Sequence, residues 1–330
     1  MRLRKRAVAA LPAVLVLAGL SVPGSSASAE PTPTQGEFSL AGVSWPSAQQ
    51  PAGAVQIRTR AAGTGAWSPW HTLDVTPRQT ESGTRTTTEP RWTGPADEAQ
   101  ARVVRADGSS TPLPRGARIE KVKEQPATGA APRPLARKGV IKTRKQWGAN
   151  ESWRGDPPEY GSKVEAVLVH HTVDSNSYDC ADAPAIIRAI YRYHVKTNGW
   201  NDIGYNFMVD RCGRIYEGRY GGGSRPVVGA HSMGFNNNTS GVAVIGDYRS
   251  KAVPSKVTSI LARFARWKLN IAGYRANQKV TLEAGVSNGK YDKGDKVRVY
   301  RVAAHRNVYA TSCPGAKLYG KLGTIRSSAS

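Results

Sequence analysis

Residues 55–59 alternate: Val55, Ile57 and Thr59 fall on one side of an extended chain, and Gln56 and Arg58 on the other. A period of two predicts a half-buried strand. The runs AWSPWHTLDV, TRTTTEPRW and QARVVRADG have the same character, separated by Gly-, Pro- and Asp-rich turns. No stretch of residues 30–124 has helical period, so this region predicts an all-β domain, a sandwich or small barrel. Trp67, Trp70 and Trp92 are expected at its core or edge, with a sugar-stacking platform as the alternative. Residues 125–139, QPATGAAPRPLARKG, have no periodicity and predict a linker stiffened by its prolines.

The pattern then changes. KVEAVLVHHT is continuously apolar before its histidines, as a strand covered on both faces would be. In DAPAIIRAIYRYHVKTNG, Ile186, Ile187, Ile190, Tyr191 and His194 fall at helical spacing, with Asp182 as cap, Pro184 in the first turn and Gly199 as stop. YNFMVDRCGRIYEG predicts a hairpin turning near Cys212-Gly213, and SGVAVIGDY a second buried strand. PSKVTSILARFARWKLNIAG predicts a second helix, and KVRVYRVAAH a late strand leading to His305. Strands and helices in this order predict an α/β domain over residues 140–330, with a mixed central sheet flanked by helices, preceded by the smaller all-β domain.

A chain of 330 residues exceeds what one core usually supports, in keeping with two domains. Its first residues, MRLRKR, are followed by the apolar run AVAALPAVLVLAGL and by small residues ending in Ala-x-Ala, which predicts a secretory signal peptide cleaved after Ala29. The run is too short for a membrane span and contains Pro12. Removing the signal lowers the net charge from +23 to +19. Such a charge favours encounter with polyanions. With export expected and no nucleic-acid-binding signature present, the anionic polymers of a cell wall fit better than DNA or RNA. A monomer is expected by default.

Three cysteines in an oxidising compartment imply one disulfide and one odd thiol. Cys180 with Cys212 is the economical pair, which leaves Cys313. His170 and His171 close a buried strand, His305 ends another, and Cys313 lies on the loop beyond it. Strand ends face clefts, and strand neighbours point to opposite faces, so one histidine of the pair can face a given site. Two histidines and a thiolate make a three-ligand zinc set with the fourth position left to water. A cysteine–histidine nucleophile pair and an inert buried thiol remain the alternatives at this point. His194, inside a helix pattern, is expected to be a hydrogen-bonded core-edge residue.

VHHT, WNDIGYNFMVDRCGRIYEGR, GAHSMGFNNNTSGVAVIGDY and AHRNVYATSCPG occur in this order. Together they resemble the peptidoglycan recognition protein family, similar to phage lysozymes with N-acetylmuramoyl-L-alanine amidase activity. The resemblance covers residues 140–325, and the signal, β-rich region and paired cysteines resemble its secreted actinobacterial branch. It implies His170, His305 and Cys313 as ligands of one zinc ion, Tyr205 as the catalytic tyrosine, and Thr311 near the reacting carbonyl. It implies peptidoglycan as substrate, cut between the muramic acid lactyl group and L-alanine by a secreted, wall-associated enzyme. His231 and Asn236 are candidates for substrate contact, with structural roles as the alternative, and Glu217 is a weaker candidate base. Tyr220-Gly221 stands where many animal members have Gly-Trp, AHRN replaces the more usual GHRD, and TLEAGVSNGKYDKGDK is an insertion expected to form a surface hairpin.

Overall fold

The computed structural model describes residues 36–75, 85–123 and 141–330. The expected signal peptide and linker lie outside the described residues. Seven strands come first: β1 (Phe38–Pro46), β2 (Ala54–Ala61), β3 (His71–Thr72), β4 (Arg85–Thr87), β5 (Arg91–Val104), β6 (Ser110–Thr111) and β7 (Arg118–Val122). They form one antiparallel sheet in the order β3-β2-β5-β1-β4, with β6 on β5 and β7 on β1. The alternation in β2 does what it predicts, burying Val55 and Ile57 beside Phe38, Val43, Trp45 and Leu73. Trp67 and Trp70 are edge residues stacked on Arg58, and Arg102 also covers Trp70.

The second domain contains α1 (Arg144–Trp147), β8 (Ala166–His171), α2 (Ala183–Arg192), β9 (Phe207–Val209), β10 (Ile215–Glu217), β11 (Thr239–Val244), α3 (Ser255–Asn270), β12 (Lys279–Glu283), β13 (Lys296–Tyr300), β14 (Val302–Ala304), α4 (His305–Val308), α5 (Ala316–Tyr319) and α6 (Leu322–Ala329). Its five-stranded sheet runs β10-β9-β11-β8-β14, parallel except for the β9–β10 hairpin. Every residue of β8 and β11 is buried, which explains their unbroken apolar character. Val167 and Val169 pack towards α3 and α6, whereas Met208, Ala243 and Ile245 meet α2. Cys180 and Cys212 form a disulfide that ties the start of α2 to the β9–β10 turn.

Two local expectations change. Asp182 does not cap α2; its carboxylate instead accepts from the Asp179 N–H at 3.0 Å, closing the short 3-10 turn before the helix. KVRVYRVAAH is two strands rather than one. Alternating β13 pairs with β12 as the expected hairpin, then Arg301 breaks the run, and wholly buried β14 joins β8. The hairpin is not confined to the surface, because Leu282, Val297 and Val299 pack on Ala166, Leu168 and Phe235.

The two domains share a core. Ala41, Val43 and Trp45 of β1 point into the β-domain, while Leu40 joins Trp92, Val122 and the apolar face of α2. At Gly42 an added Cβ would stand 2.4 Å from the Tyr193 hydroxyl oxygen, so only glycine permits this approach. The Tyr193 hydroxyl donates to the Thr88 carbonyl at 3.1 Å. Arg91 donates to the Val173 carbonyl at 2.6 Å, and the Trp92 N–H donates to the Asp174 carboxylate.

Candidate metal centre

Parallel pairing of β14 with β8 sets Ala304 opposite Val169, so the next residues, His305 and His170, emerge side by side. Their ring centroids are 4.5 Å apart. The loop after α4 returns Cys313 to the same point, with Sγ 3.8 Å from His170 Nδ1. The loop is held in three ways. The Cys313 N–H donates to Thr311 Oγ1 at 3.1 Å, and the His171 N–H donates to Cys313 Sγ at 3.4 Å. Gly315 has φ +84°, and an added Cβ would lie 2.3 Å from the Tyr248 backbone.

One ligand atom from each of His170, His305 and Cys313 lies within 4.8 Å of the other two, and all three residues are buried. Burial holds the His170 imidazole well below its ordinary pKa, brings His305 to about 3 and pushes the Cys313 thiol up. His305 Nε2 is buried without a hydrogen-bond partner among the described residues. Neutral imidazoles and a buried thiol are what a divalent soft-to-borderline cation can use, and its charge would favour the thiolate. Two nitrogens and one sulfur therefore fit zinc.

His171 also lines the pocket at the triad but is not one of the three clustered ligand residues. Its Nδ1 accepts from the Tyr248 N–H at 3.2 Å, and its Nε2 lies 3.8 Å from Asp74 Oδ2. His231, a candidate for substrate contact, lines the same pocket and is buried against the cluster: its Nδ1 is 3.1 Å from His170 Nε2. Asn236 lines the adjoining cleft, and its Oδ1 accepts from the His231 and Ser232 N–H groups at 2.9 and 2.8 Å. Asn307 Oδ1 accepts from the Ala304 N–H at 2.8 Å, an acceptor role that an acid at this position could also fill. Glu217 lines neither the metal pocket nor the cleft beside it.

Tyr205 comes from the turn between α2 and β9. Buried Arg144 stabilises that turn through Asp202, at 3.1 Å, and the Ile203 N–H donates to the same carboxylate at 2.7 Å. The Gly204 N–H donates to His194 Nδ1 at 3.1 Å, the core-edge role expected for this histidine. The Tyr205 ring packs on His170, with centroids 5.4 Å apart. Burial pushes its phenol well above the usual range, and Glu89 adds to the effect.

The pocket at the triad measures about 20 Å³, and residues of the first domain close one side of it: Asp74, Val75 and Glu89 line it with Tyr205, Thr311 and the triad. Nothing in the sequence pattern singled out these residues. Trp200 and Ala230 also line the adjoining cleft of about 180 Å³, which runs past Arg154, Asp156, Arg219 and Tyr220.

A family model described as N-acetylmuramoyl-L-alanine amidase matches residues 160–316. Another, described as Rv3811 N-terminal galactose-binding domain-like, matches residues 9–134. Peptidoglycan-recognition protein 1 of Holotrichia diomphalia is 32% identical over 184 residues, covering 56% of this chain and 79% of that protein. Peptidoglycan-recognition protein SC2 of Drosophila simulans is 25% identical over 185 residues, covering 56% of this chain and 85% of that protein. The Homo sapiens protein named N-acetylmuramoyl-L-alanine amidase is 34% identical over 188 residues, 56% of this chain but 28% of that longer protein.

Proposed function

Since this chain belongs to the family of peptidoglycan recognition proteins and type 2 N-acetylmuramoyl-L-alanine amidases, we propose that it is a secreted, zinc-dependent peptidoglycan hydrolase. Its target is the amide between the lactyl group of N-acetylmuramic acid and L-alanine of the stem peptide, and residues 140–330 form its hydrolytic domain. The observation that carries this reading is the buried His170–His305–Cys313 cluster against Tyr205. Receptors of the family that bind without cutting typically lack the ligand cysteine; here it is retained.

The three side chains would hold one zinc ion, which supplies Lewis acidity and brings the pKa of a bound water towards about 7. The remaining work belongs to the chain. His231 fixes the His170 ring, and Thr311 with the His171 N–H fixes Cys313. Tyr205 can hydrogen-bond to the attacking water or to the carbonyl oxygen as it gains charge. Losing one such group typically costs about 10²–10³ in rate. The cleft beside Trp200 carries Arg154 and Arg219 together with Asp156, Glu159 and Asp202 on its walls, a mixed polar surface that suits a peptide chain. The net charge of +19 expected once the signal is removed favours approach to anionic wall polymers. No described helix is long and apolar enough to cross a membrane.

The test is solubilisation of purified peptidoglycan by the wild-type protein and by Cys313→Ala. The wild type should act, stop with a chelator and recover with zinc, while the variant stays inactive. Activity that survives both the chelator and the substitution would refute the reading.

A further inference from the structure

We propose that Glu89, carried by the N-terminal domain, is a positioning residue of the hydrolytic site that sets the direction of the Tyr205 hydrogen bond. The inference rests on the hydrolase reading above and extends the site across both domains. The Tyr205 hydroxyl donates to Glu89 Oε2 at 3.3 Å. A phenol has one proton to donate. With that proton directed at the carboxylate, the oxygen offers lone pairs to the rest of the pocket. Tyr205 then accepts from a water there and orients it for attack, rather than donating to the substrate carbonyl.

The arrangement is built into the domain seam. The Glu89 N–H donates to the Asp74 carbonyl at 2.7 Å. The preceding residue is fixed from both sides: the Val43 N–H donates to Thr88 Oγ1 at 3.0 Å, and the Tyr193 hydroxyl to the Thr88 carbonyl at 3.1 Å. The Glu89 side chain is 15% exposed, and its Oε2 is 4.0 Å from His194 Nε2. His194 accepts from the Gly204 N–H through Nδ1, so its proton lies on Nε2, the nitrogen nearer the carboxylate. The pocket enclosed by Glu89, Tyr205 and the triad measures about 20 Å³, which is room for roughly one water.

The test uses the full chain labelled with tyrosine carrying ¹³C at Cζ, with the Tyr205 resonance assigned by its loss in Tyr205→Phe. In metal-free protein, Glu89→Gln should move the Tyr205 Cζ resonance, because the phenol loses its charged acceptor. In zinc-loaded protein, Glu89→Gln should lower kcat by about 10-fold or more, less than the roughly 10²–10³ lost with a group that itself touches the reacting atoms, with KM unchanged. Adding it to Tyr205→Phe should cause no further loss. Glu89→Asp keeps an acceptor and should lie between wild type and Gln. An unmoved Cζ resonance overturns the inference, as does an unchanged kcat; a raised kcat would make the contact an inhibitory latch instead. If the wild type itself cuts no peptidoglycan, the hydrolase reading fails and the Cζ resonance alone decides whether Glu89 directs Tyr205.

Discussion

His231 Nδ1 lies 3.1 Å from His170 Nε2, and β11 makes the space for it: an added Cβ at Gly241 would stand 2.3 Å from the His231 ring. The bond engages one nitrogen of His170 and leaves Nδ1, the atom 3.8 Å from Cys313 Sγ, for a metal. Groups that orient a ligand in this way usually account for about 10–100-fold in metal affinity. His231→Ala should weaken zinc binding by that factor, measured by competition with a chromophoric chelator. Gly241→Ala should do the same by displacing the ring.

The neighbouring histidines should separate cleanly. His170→Ala is expected to lose bound zinc and His171→Ala to keep it, counted as zinc per chain by atomic emission. The reverse pattern would reassign the ligand. His171 is expected to matter for folding, since its buried ring accepts from the Tyr248 N–H.

Trp92 belongs to the first domain but is buried with Leu40 and Val122 against the α2 face of the second. Trp92→Ala should cost about 3–5 kcal/mol. The shared core predicts that both domains melt in one transition, followed by calorimetry and by near-ultraviolet circular dichroism. Two separated transitions in the wild type would contradict this.

Stability should fall in mild acid. Burial lowers His71 to about 4 and His194 to about 3. A histidine with a depressed folded pKa contributes stability above its unfolded value near 6.5, lost as pH falls towards the folded value. Asp174 acts in the opposite sense: burial raises it to about 6, so it contributes stability as pH falls from there towards its unfolded value. In metal-free protein the buried imidazoles of His170, His231 and His305 act in the same sense as His71 and His194, so the histidines outweigh the one carboxyl and stability falls between pH 6 and 4. Urea titrations of metal-free protein at pH 4, 5, 6 and 7 check the sign.

Much of the second domain is legible in the chain because local pattern and burial agree there. The apolar runs of β8 and β11 are wholly buried, and the spacing of Ile186, Ile187, Ile190 and Tyr191 is the buried face of α2. The triad is legible because each member follows a strand end or its loop. Strand β1 is harder to read because it is covered on both faces by two different cores, so it lacks the alternation of β2. The role of His231 is invisible to spacing, since it depends on β11 lying beside β8. Asp74 and Glu89 reach the site from a domain with no chemical motif of its own, and only the packing of β1 and Trp92 on α2 brings them there.

The central claim is the bond that is cut, and mass spectrometry of the termini released from purified peptidoglycan reads it directly. The account predicts stem peptides with free L-alanine amino ends together with glycan strands that keep intact lactyl groups, formed by zinc-loaded protein and abolished by a chelator. New ends between two amino acids of the stem, or no new ends at all, would contradict it.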